Sequence, residues 1–83
     1  MITVLFFAGL REAVGTSSET LALPSGVTTV AALRDHLAAR GDKWIALNSA
    51  KNLRAAVNQD MVLLTAEIKD GDEIAFFPPV TGG

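Results

Sequence analysis

Two short runs at opposite ends of the chain, residues 2–8 (ITVLFFA) and 73–78 (EIAFFP), are apolar on both of the faces that a strand presents. Successive side chains of a strand alternate between faces. Ile2, Val4, Phe6 and Ala8 therefore share one side, and Thr3, Leu5 and Phe7 the other. In the second run Ile74 and Phe76 share one side, and Ala75 and Phe77 the opposite one. Strands of this kind belong in the middle of a sheet, where both faces meet other matter. The two runs are predicted to lie side by side and parallel at the sheet centre, which brings the beginning and the end of the sequence together. Parallel neighbours cannot be joined by a hairpin, so the intervening residues must supply the crossover.

Those residues contain one strong helix. Thr28 or Thr29 is placed to cap it, because a threonine hydroxyl accepts a hydrogen bond from a free N–H of the first turn. Val30, Leu33 and Leu37 recur at i, i+3 and i+7 with Ala38 beside them, forming one apolar stripe. Asp35 falls on the far side, Arg34 and His36 flank the stripe, and Gly41 is predicted at the C′ position. Before the helix, residues 9–15 (GLREAVG) read as a short helical turn between two glycines, and residues 20–23 as a strand stopped by Pro24-Ser25-Gly26. After it, residues 42–52 hold a short turn around Trp44, Ile45 and Leu47. Residues 54–58 alternate weakly, with Ala55 and Val57 facing one way, and residues 61–64 form a further apolar patch, read as a brief strand. Asp70-Gly71-Asp72 is a tight-turn signal ahead of the last strand. Pro78 and Pro79 lack the N–H that a ladder needs, so the sheet ends there. Strands flanking one packed helix predict an α+β roll with the sheet wrapped over that helix. It would be a single domain over residues 1–77, followed by a tail at residues 78–83.

Composition removes most chemistries. The 83 residues include no Cys and a single His, which excludes disulfides, Cys-based metal sites and a multi-histidine centre. The net charge of −2, with an isoelectric point near 5.1, argues against nucleic acid as a partner. Hydrophobic residues make up 49% and the mean hydropathy is +0.35, so the core itself must hold the fold. The apolar start is interrupted by Thr3 and Gly9 and followed by Arg11 and Glu12. It is far short of the roughly 20 residues of a membrane span and has no basic stretch before it. A cytoplasmic protein without a membrane partner is expected. No phosphate-binding loop and no G-x-G-x-x-G occurs. His36 and Asp35 are adjacent on a helix and do not face each other. Asp70 and Asp72 read as solvated turn carboxylates rather than metal ligands, and Lys43, Lys51 and Lys69 as scattered surface charge. No metal site is predicted.

Two features stand out from this background. If Val4, Phe6, Ile74 and Phe76 face the helix, then Leu5, Phe7, Ala75 and Phe77 face outward together, with Met61 extending the patch. An exposed apolar patch on neighbouring strands marks a protein partner, unless residues 42–52 or a loop cover it. The other feature is the end of the sequence, Thr81-Gly82-Gly83 behind a Pro-Pro brake. Six residues from Pro78 reach at most about 20 Å, and two residues without Cβ atoms pass through a narrow channel. The Gly83 carboxyl would then be the one distinctive functional group, activated by another protein.

The run Asp70-Gly71-Asp72-Glu73-Ile74-Ala75-Phe76-Phe77-Pro78-Pro79-Val80-Thr81-Gly82-Gly83 resembles the terminal signature of the molybdopterin synthase small subunit family. Val4-Leu5-Phe6-Phe7-Ala8 with Arg11-Glu12 is similar to that family's opening strand and turn. Thr29-Val30 with Ala32-Leu33-Arg34 resembles its helix start, and Ala55-Ala56-Val57-Asn58-Gln59 its third strand; residues 42–52 match least. The resemblance implies a ubiquitin-like β-grasp fold and a sulfur carrier of molybdenum cofactor biosynthesis. It implies that Gly83 is adenylated at the expense of ATP by an activating (sulfurylase) enzyme and becomes a thiocarboxylate. It further implies that Gly83 delivers its sulfur to cyclic pyranopterin monophosphate inside the large synthase subunit, two carriers serving one dimeric large subunit. The carrier would have no catalytic centre and no bound cofactor of its own. Phe7, Met61, Phe77, Pro78 and Pro79 carry over as partner interface, and Thr81, Gly82 and Gly83 as the functional tail. Alternative readings are a thiamine-type sulfur carrier, a ubiquitin-like protein modifier, and an interaction module whose Gly-Gly is incidental.

Overall fold

The computed structural model describes residues 1–50 and 52–79. Over these the chain forms β1 (Ile2–Phe6), α1 (Ala8–Val14), β2 (Ser18–Leu21), α2 (Val30–Ala38), α3 (Ala46–Ser49), β3 (Arg54–Val57), β4 (Asp60–Val62) and β5 (Glu73–Phe77), with a 3-10 turn at Asp42–Ile45. The two end runs pair in parallel, Val4 opposite Ile74 and Phe6 opposite Phe76. The strand order is β2-β1-β5-β3-β4 and every other pairing is antiparallel. The doubly apolar strands thus occupy the interior of the sheet, and the last strand in sequence is its centre.

One face of the sheet and α2 make the core. Ile2, Val4 and Phe6 of β1, Ala55 of β3, and Ile74 and Phe76 of β5 are each at most 1% exposed, as are Val30, Leu33 and Leu37 of α2. Each of the large apolar side chains among these contributes about 1.5–3 kcal/mol before chain entropy is counted. The Phe6 and Phe76 rings stack 6.4 Å apart, and Trp44 sets its edge on Phe6 at 5.6 Å. In the segment expected to hold a short turn around Trp44, Ile45 and Leu47, Trp44 and the buried Leu47 therefore pack on the core side. Over Trp44 lies the Arg40 guanidinium, 4.5 Å from the ring centroid. It also donates two hydrogen bonds to the Glu19 carboxylate, closing the end of α2 onto β2. That bidentate contact holds the Glu19 carboxyl below the usual carboxylate range.

Thr29 is the cap of α2, its hydroxyl accepting from the Ala32 N–H at 3.1 Å. The N–H groups of Val30 and Ala31 donate to the carbonyls of Ala66 and Leu64, so the connection after β4 straps the helix start.

Several boundaries differ from expectation, among them β4, which spans Asp60–Val62 rather than residues 61–64. β1 stops at Phe6 rather than Ala8, because Phe7 turns its carbonyl to the Leu10 and Arg11 N–H groups and Ala8 takes φ +52° to enter α1. β2 spans Ser18–Leu21 rather than residues 20–23. The Thr16 hydroxyl, which donates to the Ser18 carbonyl, and the Phe6 N–H, which donates to the Ser17 carbonyl, start the pairing earlier. Gly41 lies one residue beyond C′: Ala39 is the C-cap, and Gly41, with φ +77°, leads into the 3-10 turn.

Asp72 also departs from its solvated reading. It is 7% exposed and accepts 3.0 Å from the Asn58 side-chain amide and 2.9 Å from the Lys69 N–H. Among the described residues no three acidic, His or Cys side chains converge to hold an ion. Asn58, at φ +50° in the β3–β4 turn, accepts in turn from the Glu73 N–H at 3.0 Å. One carboxylate therefore ties the turn before β5 to the turn after β3. Asp70 remains exposed and pairs with the N-terminal ammonium.

The Asn58 amide first, and then the Lys69 N–H, hold the Asp72 carboxyl below its ordinary value. A depressed folded-state pKa gives stability that is complete above the unfolded value of about 4 and is lost as pH falls through the folded one. Asp72→Asn is expected to lower unfolding stability at neutral pH by about 1–2 kcal/mol. In urea titrations it should also lose less stability between pH 5 and pH 3 than the parent. A parallel pH dependence in the two proteins would refute this role for Asp72.

Candidate functional site

The outer face of the sheet is graded along the strands. At the end where β1 and β5 begin, Thr20, Thr3 and Glu73 form a polar row across β2, β1 and β5. The middle row is Leu5, Ala75, Ala56 and Met61 across β1, β5, β3 and β4. The last row opens with Phe7 beside Phe77 and continues through Arg54. The two phenylalanine rings meet edge to face, 6.5 Å apart at 77°. The face therefore becomes apolar in the direction in which β5 runs into Pro78 and Pro79.

Phe7 is 46% exposed and Met61 61%, while Phe77, Pro78 and Pro79 are half-buried. Phe7 and Phe77 touch; Met61 joins them only through the small side chains of Ala75 and Ala56, two strands away. Residues 42–50 lie on the opposite side, with Trp44 on Phe6, and so do not cover the patch. Thr81, Gly82 and Gly83 lie outside the described residues.

Leu63, 78% exposed, extends the patch beyond Met61, and it was not singled out from the sequence. Neither was Arg54, which the pairing of β3 with β5 sets directly opposite Phe77. Both signals were present, since Leu63 stands two residues from Met61 and Arg54 alternates with Ala55. What was missing was the register that puts them in one row. Leu63, Leu64, Val62, Leu53, Asn52, Arg54 and Pro79 line an open groove of about 310 Å³ at this end of the sheet. His36 is exposed on α2, away from this face.

Residues 4–83 match the ThiS family. The molybdopterin synthase sulfur carrier subunit of Escherichia coli is 55% identical to this chain over the whole of both. That of Haemophilus influenzae is 50% identical, again over both full lengths. The chain belongs to the ThiS family, among the molybdopterin synthase sulfur carrier subunits. As in other members of this family, the roll is a β-grasp. It resembles the small archaeal modifier protein 1 of Haloferax volcanii at 26% identity with a TM-score of 0.75, covering 95% of this chain and 97% of that one. No helix among the described residues is long and apolar enough to cross a membrane.

Proposed function

We propose that this chain carries sulfur for a molybdopterin synthase as a thiocarboxylate on Gly83, and that the graded outer face docks its partners. The observation that carries the reading is the direction of that gradient. The apolar end of the sheet is the end at which β5 runs into Pro78 and Pro79, so a protein covering Phe7, Phe77 and Met61 would sit beside the start of the tail.

The chemistry follows from the group available. A carboxylate is a poor acyl donor because oxide is a poor leaving group, so an activating enzyme joins it to AMP from ATP with release of pyrophosphate. A persulfide then attacks the acyl carbon and AMP leaves. A second thiol cleaves the resulting S–S bond, is itself oxidised to the disulfide, and leaves sulfur on Gly83. The large synthase subunit supplies the active site, where the thiocarboxylate sulfur bonds to cyclic pyranopterin monophosphate and water then hydrolyses the acyl–sulfur bond, leaving the sulfur on the pterin and a carboxylate on Gly83. Thr81, Gly82 and Gly83 serve as the thread into that site, because glycine has no Cβ to collide with its walls. The β-grasp unit over residues 1–77 and the tail over residues 78–83 divide the work between recognition and chemistry. ATP is consumed on the activating enzyme and is not held by this chain.

Intact-mass measurement after incubation with the activating enzyme, ATP and a sulfur donor tests the reading. The expected product has exchanged one oxygen for sulfur at the terminal carboxyl. The likeness to an archaeal modifier protein favours a second use of the same tail, isopeptide attachment to lysines, which would appear as high-mass conjugates. An unchanged mass would overturn both and leave an interaction module.

A further inference from the structure

Among the described residues that the strand register places at the apolar end of the outer face, Arg54 carries the charge. It stands between Phe77 on β5 and Leu63 just beyond β4, and its side chain also lines the groove that ends at Pro79. Among the described residues no carboxylate pairs with it, whereas Arg34 and Arg40 are both engaged. The carboxylate of this face, Glu73, lies at the opposite end of β5, four residues or roughly 13 Å along the strand. The face is thus polarised, negative where β5 begins and positive where it ends, on a chain whose net charge is −2. An exposed guanidinium bordered by apolar side chains is weakly hydrated and suited to pairing with a carboxylate when water is excluded. The groove beside it is at the small end of binding cavities in volume. Its walls are aliphatic at Leu53, Leu63 and Leu64.

We propose that Arg54 and this groove form a second recognition element, which receives an extended segment of the large synthase subunit carrying a carboxylate next to an aliphatic side chain. The proposal rests on the outer face being the partner interface. Arg54 selects the sign of charge the partner presents, and the groove takes the neighbouring aliphatic group. Because the groove includes Pro79, a segment docked there would lie beside the start of the tail. Opposite charges at the two ends of the face disfavour a partner docked the other way round, since like charges would then meet.

Binding of the purified large subunit to the full chain, measured at roughly 50 and 300 mM salt, tests this with four variants. Arg54→Gln is expected to weaken binding about threefold to tenfold and Arg54→Glu by more than tenfold, with both losses shrinking at the higher salt. Leu63→Asp should match Arg54→Glu, and both should melt with the parent, because each residue is exposed. Phe77→Ala reports on the interface itself. If Phe77→Ala loses at least tenfold while Arg54→Glu stays within twofold of the parent at both salts, the interface stands and the acidic-segment proposal falls. If Phe77→Ala also binds as the parent does, the interface reading is overturned and takes the proposal with it.

Discussion

A chain extended by a single residue beyond Gly83 is expected to lose sulfur transfer completely while folding and docking as the parent does. The added residue moves the carboxyl away from the position at which it would be adenylated and brings a Cβ into a channel suited to glycine. Nothing in the core or in the outer face is altered, so the melting temperature and the affinity for the large subunit should stay within error of the parent. The thiocarboxylate mass and the yield of molybdopterin should both fall to background. Full transfer from the extended chain would overturn Gly83 as the sulfur site. Equal loss of binding would instead mean that the tail, and not the sheet face, supplies most of the affinity.

The second large effect separates two neighbours in β5. Phe76 is fully buried and stacked on Phe6, so Phe76→Ala opens a cavity at the sheet centre and should cost about 3–5 kcal/mol. Against a typical total of about 5–15 kcal/mol, that loss leaves the domain marginal at best. Phe77, one residue later, faces outward with its ring against Phe7. Phe77→Ala should lower stability by only about 1 kcal/mol, the worth of an aromatic pair. It should weaken the complex with the large subunit tenfold or more, as loss of a central aromatic anchor does. Denaturant titration and binding measured on the same two proteins check the contrast. A larger stability loss for Phe77→Ala than for Phe76→Ala would show the two faces to be reversed.

The alternation within residues 2–8 and 73–78 already placed both strands at the sheet centre and separated Phe76 from Phe77. The reason is that period-two patterning fixes which face is buried as soon as one face must be. The same signal located Thr29 and the α2 stripe, because cap and periodicity are local properties. Register between strands is not local. Ala56, Arg54 and Leu63 join Phe7, Phe77 and Met61 only through pairings of β5 with β3 and of β3 with β4, and no spacing in the sequence encodes those. Asp72 was misread for a related reason. A turn carboxylate looks solvated until its partner, Asn58, arrives from fourteen residues away. For the tail, the absence of Cys and the Gly82-Gly83 end set an expectation only, since its role depends on a protein that this sequence does not contain.

The place of β5 has a consequence for how the molecule is made. Until β5 is in place, β1 and β3 have no strand between them, since each pairs with β5 and not with the other. The sheet is therefore completed by the same few residues that lead into Pro78 and Pro79. If Gly83 carries the sulfur as proposed, a copy without β5 would have neither the face to dock nor the end to load.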